Sequence, residues 1–259
     1  MLEEKMRETK NSKKSKNFFI RPEIFPAEKI RAFFTGRTPG IDREAVSREL
    51  DTSFSEKGLF MPVQKHTARV LVYEELTEDE IFKNPPEADA VITARPNTAL
   101  GIMVADCVPV LLYDEKKGVT GAVHAGWRGT AQGILRNTIQ KMASVFGSNP
   151  ADIRIAIGPA IRKCCYEVDM GVLRQIEASV AANQPDNVPL YLVKGPKAYI
   201  DLPEANRRQA VACGAKPENI WVSEKCTSCD PGHFNSYRRE SRLGAKAPGR
   251  QGGFIIRIS

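Results

Sequence analysis

The stretch Leu100–Gly129, LGIMVADCVPVLLYDEKKGVTGAVHAGWRG, constrains the fold more than any other part of the chain. Ile102 to Tyr113 is almost unbroken apolar sequence, the pattern of a strand buried on both faces. Val119 to His124 reads as a second strand, small and apolar, and Asp114-Glu115-Lys116-Lys117-Gly118 between them as a charged turn closed by glycine. In a hairpin, facing residues have position numbers of constant sum. With the turn centred on the Glu115–Lys116 bond, Cys107 faces His124 with Cβ atoms roughly 5 Å apart. A thiolate and an imidazole at that distance can share one metal ion or act as a nucleophile–base pair. A cysteine in a buried strand is more often an inert small hydrophobe. The coincidence of Cys107 opposite His124, beside Asp106 and the exit Ala125-Gly126-Trp127-Arg128-Gly129, shifts the balance towards function. Gly126 and Gly129 let backbone approach a ligand closely.

At 259 residues the chain is long enough for a substantial core, and its 42% apolar and 27% charged content is ordinary for a soluble protein. No apolar run approaches the ~18 residues that cross a bilayer. The start, MLEEKMRETKNSKKSKN, is charged and lacks the apolar core of a secretory signal, so residues 1–17 read as a solvated, partly disordered leader. The net charge of +7 is spread out, and no aromatic-studded basic stripe marks a nucleic-acid binder. A basic site for phosphate or another small anion is the more economical reading. Arg128, Arg162, Arg238 and Arg239, each in or near a turn, are the candidate anion clamps. The six cysteines, Cys107, Cys164, Cys165, Cys213, Cys226 and Cys229, are expected to stay reduced in the cytoplasm.

Along the chain, Phe18 to Phe34 supplies short strands, Asp42 caps a helix reaching Leu50, and Ala68–Tyr73 is a strand with His66 just before it. Glu74 to Glu87 is acidic and contains proline, which suggests a surface loop. Thr130 is the expected cap of a helix to about Phe146, with Ile134, Leu135, Ile139, Met142 and Val145 at helical spacing. Ile153, Ile155 and Ile157 alternate as in a strand. Val172 to Val180 and Leu202 to Cys213 are helical, the latter with Pro203 in its first turn; Asn183–Leu190 is a polar loop. Asn219–Val222 and Phe254–Ile258 close the list of strands. The fold class is α+β, a single mixed α/β domain over residues 18–259 with strands of both senses.

Two groupings compete for a metal. His66, Cys107 and His124 give three ligands and leave a fourth position open, as catalytic zinc requires. Cys226-x2-Cys229-x3-His233 imitates half a zinc finger, with Cys164 or Cys165 as the visible source of a fourth ligand; an unmetallated turn is the expectation there. A multicopper oxidase needs many imidazoles, and this chain has three histidines. The Walker loop, the dinucleotide glycine fingerprint, the G-x-S-x-G elbow and the nucleobase-deaminase signature are all missing.

Leu100…Ala105-Asp106-Cys107-Val108-Pro109-Val110-Leu111-Leu112, then Val123-His124-Ala125-Gly126-Trp127-Arg128-Gly129, resembles the YfiH/YlmD family. Ile157-Gly158-Pro159…Cys165-Tyr166-Glu167-Val168 and Phe234-Asn235-Ser236-Tyr237-Arg238-Arg239 match its later motifs, so the similarity runs from about Gln64 to Arg239. The family was formerly called laccase-domain or polyphenol oxidase. The resemblance implies a zinc-dependent purine nucleoside phosphorylase acting on adenosine, inosine and methylthioadenosine, with adenosine deaminase activity. It also implies a mixed α/β sandwich shared with toxin deamidases. The implied metal residues are His66, Cys107 and His124, carrying zinc with copper able to substitute. Asp106 is assigned to orienting a ligand or binding the nucleoside; beside Cys107 in a strand it faces the other way, which argues against ligation. Arg128, Arg162 and Arg238 are assigned to phosphate. Thr67, Val104 and Asn235 depart from the family's usual glycine, threonine and aromatic residue. The partners implied are nucleosides and phosphate, neither nucleic acid nor membrane, with a homodimer left open. The rival readings are a metal-free Cys107–His124 hydrolase or amidase, such as an editor of peptidoglycan precursors, and a non-catalytic binding module.

Overall fold

The computed structural model describes residues 17–51, 58–180, 188–245 and 248–259. The expected leader therefore lies, apart from Asn17, outside the described residues, as does most of the expected polar loop at 183–190. In chain order the described strands are β1 (Phe19–Ile20), β2 (Ile30–Thr35), β3 (Leu59–Phe60), β4 (Val70–Val72), β5 (Ala90–Thr93), β6 (Ala99–Val104) and β7 (Val108–Asp114). They continue with β8 (Val119–Ala125), β9 (Ile153–Ile157), β10 (Glu167–Asp169), β11 (Tyr191–Lys194), β12 (Lys197–Ile200), β13 (Ile220–Val222) and β14 (Gln251–Arg257). The helices are α1 (Arg43–Glu49), α2 (Glu78–Phe82), α3 (Trp127–Ala131), α4 (Ile134–Phe146), α5 (Met170–Ser179), α6 (Leu202–Ala212) and α7 (Tyr237–Arg242).

A six-stranded sheet of order β13-β9-β7-β8-β5-β4 faces a five-stranded sheet of order β1-β2-β14-β6-β3; β10-β12-β11 form a small third sheet. Strands of both senses occur, with β13/β9, β4/β5 and β3/β6 parallel and the other pairs antiparallel. The apolar run of β7 is explained by its two covered faces. Val110 and Leu112 pack with Ile134, Leu135, Ile139 and Met142 of α4 and with Leu202 and Ala205 of α6. Leu111 and Tyr113 point the other way, towards Phe34, Leu100, Ile102 and Ile255 of the five-stranded sheet. The outer face of that sheet is covered by α1, whose Val46 joins Phe33, Phe254 and Ile256. Asp42 caps α1 as expected, accepting a hydrogen bond from Ala45 N–H.

Four sequence expectations change. First, Ile102–Tyr113 is not one strand: β6 ends at Val104 in one sheet, and β7 begins at Val108 in the other. Asp106, with φ of +81°, turns the chain between them. Second, the helix from Thr130 to Phe146 is two helices. Gly133, at φ +75°, breaks it, and Thr130 is buried inside α3 rather than capping α4. Third, the acidic segment after β4 contains α2, closed by a reciprocal capping box between Thr77 and Glu80. Fourth, the β7–β8 turn is Glu115 to Gly118, and the register pairs Pro109 with His124 and Val108 with Ala125. This is two residues from the register that would set Cys107 directly opposite His124.

Leu112 lies at the centre of the six-stranded sheet with no exposed surface. Leu112→Ala is expected to destabilise the protein by about 2–5 kcal/mol through lost burial and a residual cavity, seen as a lower denaturant midpoint at unchanged m. A loss under about 1 kcal/mol would contradict the packing described.

Candidate metal centre and its cavity

A two-residue slip leaves the candidate site intact because side-chain direction in a strand has period two. Cys107, the residue just before β7 and two positions from Pro109, the partner of His124, stays beside that histidine. His66 arrives from the loop before β4, in a left-handed conformation at φ +60°. The ligating atoms of His66, Cys107 and His124 all lie within 4.8 Å of one another. Cys107 Sγ is 3.8 Å from His66 Nε2, and the two imidazole rings meet edge to face at 4.8 Å between centroids. His124 is buried, Cys107 partly exposed and His66 exposed, so the cluster opens to solvent on one side.

Asp89, a buried acid at the start of β5 that the sequence reading passed over, organises this cluster. Its carboxylate lies 2.7 Å from His124 Nδ1. A carboxylate only accepts, so Nδ1 carries the proton and Nε2 is left for a ligand. The same carboxylate accepts from the backbone N–H groups of Lys65, His66 and Thr67 and from Thr67 Oγ1. One acid thus sets the orientation of one imidazole and the backbone of the loop that carries the other. Thr67, where the family resemblance anticipates glycine, uses its hydroxyl in this anchor. The signal available in sequence is a lone acid inside Ala88-Asp89-Ala90-Val91-Ile92.

The electrostatics follow from burial opposed by partners. Burial pushes the Cys107 thiol up, but the charge and hydrogen bonding of His124, with a further contribution from His66, bring it down to about 6. Burial disfavours charge on His124, yet the Cys107 sulfur and the Asp89 carboxylate raise it to about 9. Asp89 itself is held at about 2, since hydrogen bonds from His124 and Thr67 outweigh its desolvation. Without a metal the pair is therefore a thiolate and an imidazolium.

The donor set fits zinc. One sulfur and two imidazole nitrogens are ligands this ion prefers, and three protein ligands leave a position for substrate or water. Gly126 supports the fit. A Cβ there would lie 2.8 Å from His66 Cδ2 and 3.1 Å from Cys107 Sγ, so only glycine leaves the ligands room to converge.

The cluster lines a cavity of about 830 Å³, together with Gln64, Asp106, Trp127, Arg128, Tyr166 and Arg238, among others. Arg128 lies over the Trp127 ring at 4.6 Å, and Arg238 over the Tyr166 ring at 5.3 Å while donating to the Glu167 carbonyl. Arg250, which the sequence reading did not single out, also borders the cavity. Arg162 and Arg239 do not. Arg162 is engaged by Asp201 and the Ser223 carbonyl, and Arg239 by the carbonyls of Thr227, Ser228 and Phe234. Asp106 lies outside the ligand cluster, as its strand parity suggested, although it sits in a turn rather than a strand. Its carboxylate accepts from Thr227 Oγ1, Ser236 Oγ and Arg238 N–H, and its backbone carbonyl from Ile161 N–H. Where the resemblance anticipates an aromatic ring, Asn235 donates its backbone N–H to Gln251 Oε1 and its side-chain amide to the carbonyl of Arg250, which borders the cavity.

Fold and site define a mixed α/β sandwich protein with a candidate Cys–His–His metal centre opening into a cavity of about 830 Å³. Residues 40–258 match the family model described as multi-copper polyphenol oxidoreductase laccase, and the chain belongs to that family. Three histidines in the whole chain cannot supply the centres of a multicopper oxidase, whatever the family's description. The purine nucleoside phosphorylase YlmD of Geobacillus stearothermophilus is 38% identical over 60% of this chain and 56% of its own length. A purine nucleoside phosphorylase of Clostridium acetobutylicum is 36% identical over 81% of both chains. An adenosine deaminase, RL5, from an unknown prokaryotic organism is 37% identical over 70% of both. Among solved structures, YlmD from Geobacillus stearothermophilus superposes with a TM-score of 0.80 at 27% identity, over 93% of this chain and 96% of that one. YfiH from Bacillus licheniformis gives 0.75 at 32% identity, over 89% and 93%. The fold is that of the YfiH and YlmD proteins. No helix among the described residues is long and apolar enough to cross a membrane.

Asp89→Asn would put an amide donor against Lys65, Thr67 or His124. It is expected to weaken metal binding at this centre about 10- to 100-fold, measured with added zinc in competition with a chromophoric chelator. An unchanged affinity would remove Asp89 from any part in orienting the ligands.

Proposed function

We propose that the chain, as one catalytic domain over residues 18–259, is a zinc-dependent purine nucleoside phosphorylase. The observation that carries this reading is the convergence of His66, Cys107 and His124 at the wall of a cavity bordered by Arg128 and Arg238. The names of the relatives support it, and the adenosine deaminase among them supports a second activity on adenosine. Adenosine, inosine and methylthioadenosine are the proposed nucleosides.

In phosphorolysis a phosphate oxygen bonds to the anomeric carbon of ribose as the bond to the purine nitrogen breaks. The bonding pair leaves with the base, which takes up a proton. The transition state carries positive charge on the sugar, so a fixed phosphate both attacks and offsets charge. Arg128 and Arg238 hold that phosphate; their guanidinium groups stay charged and are oriented by the aromatic rings beneath them. Zinc held by His66, Cys107 and His124 would supply Lewis acidity and acid–base capacity near neutral pH. Asp89 keeps the proton on His124 Nδ1 throughout. The Tyr166 hydroxyl stays protonated, because burial and the nearby Cys107 and Asp106 charges push it up, and can donate to bound substrate. Asp106 positions Arg238 through its backbone N–H. Arg162, tied to Asp201, has no part in this scheme.

The reaction is tested by incubating the protein with inosine and phosphate, with hypoxanthine and ribose 1-phosphate as expected products. Base released without phosphate dependence would reject phosphorolysis. Cys107→Ala is expected to lose both turnover and zinc at this centre; retained turnover would reject the site. Arg128→Ala should raise KM for phosphate about 10-fold, corresponding to about 1.4 kcal/mol. The metal-free reading, with Cys107 as nucleophile and His124 as base, predicts the opposite response to reagents: resistance to chelation and inactivation by alkylation.

A further inference from the structure

The second sulfur grouping has a geometry that sequence spacing did not reveal. Cys164, Cys165, Cys226 and Cys229 place their four sulfur atoms within 4.8 Å of one another. Cys229 Sγ is 3.4 Å from Cys164 Sγ and 3.3 Å from Cys165 Sγ, and all four thiols are free. His233, the third member of the half-finger suggested by spacing, is not among them; its Nδ1 is held 2.9 Å from the Asp230 carboxylate.

We infer that these four cysteines form a second metal site, a structural tetrathiolate centre for zinc, separate from the Cys–His–His cluster. A tetrahedron with Zn–S bonds of about 2.3 Å has sulfur–sulfur edges of about 3.8 Å, which the observed spacing brackets with little movement. The backbone is arranged for it. The turn after Arg162, where the N–H groups of Cys165 and Tyr166 both bond the Arg162 carbonyl, brings two adjacent cysteines to the same partner. Cys164 and Cys229 are exposed, and exposed thiols this close would otherwise be open to oxidation. Binding displaces the thiol protons to solvent as the Zn–S bonds form.

The centre would join two loops distant in sequence. Ala160 and Cys226 already form a bridge, with Thr227 N–H bonded to the Ala160 carbonyl. Thr227, inside the Cys226–Cys229 turn, donates to Asp106, and Tyr166, next to Cys165, lines the cavity. The ion would hold one wall of the cavity without touching substrate.

The test is metal analysis of the full chain expressed in zinc-supplemented medium and purified under reducing conditions. Two zinc ions per chain are expected. In Cys107→Ala one ion should remain, with all-sulfur coordination by X-ray absorption. Cys226→Ser/Cys229→Ser should lose that ion and keep the other; should this variant not fold, the measurement on Cys107→Ala decides alone. No zinc left in Cys107→Ala, or a remaining ion bound by nitrogen or oxygen, would overturn the inference. So would a disulfide linking Cys229 to Cys164 or Cys165 in place of the ion.

Discussion

The break at Asp106 is the constraint on which the arrangement depends. An apolar run as long as Ile102–Tyr113 would, if straight, belong to a single sheet. A left-handed residue at Asp106 lets the run serve two sheets, with β6 in one and β7 in the other. A non-glycine residue pays for that conformation, and here three hydrogen bonds to the carboxylate and one to the carbonyl offset the cost. The three partners of the carboxylate come from the segment 227–238, so the turn is fixed largely by chain more than a hundred residues away. Cys107 is the first residue after the break, which puts its sulfur at the seam between the sheets and not in a filled core.

Asp89 performs the complementary task from the other side. A buried acid is costly unless it is fully hydrogen-bonded, and this one reaches His124 and three consecutive residues of the His66 loop. The two imidazoles are thereby referred to one rigid point. The thiolate–imidazolium character of Cys107 and His124 is the electrostatic result of the same closeness.

How far the sequence reveals this depends on the range of the interaction. Helical periodicity reports α4 and α6, because their apolar faces are local facts, and Asp42 announces α1. The nearness of Cys107 to His124 is visible through strand parity, which survives a register error of two residues, whereas His66, in the loop before β4, is brought to them by the tertiary fold. The break at Asp106 is not visible, since its hydrogen-bond partners lie far along the chain. The same holds for the arginines: all are alike in sequence, and only the positions of Asp201 and the carbonyls around Arg239 separate structural ones from those bordering the cavity. Spacing suggested Cys226, Cys229 and His233, but the contact of Cys229 with Cys164 and Cys165 is a tertiary fact. The acidic composition before Glu87 argues for loop, although Thr77-x-x-Glu80 carries a helix-start signature.

The position of β14 has a consequence for how the protein is made. This strand, residues 251–257, lies between β2 and β6 and pairs with both. During synthesis the five-stranded layer cannot close until residues 251–257 have left the ribosome, long after β2 and β6, leaving Phe33, Phe34 and Ile102 without their neighbour. Until then two unpaired strand edges stand open to other nascent chains, an interval in which protection by a chaperone matters most.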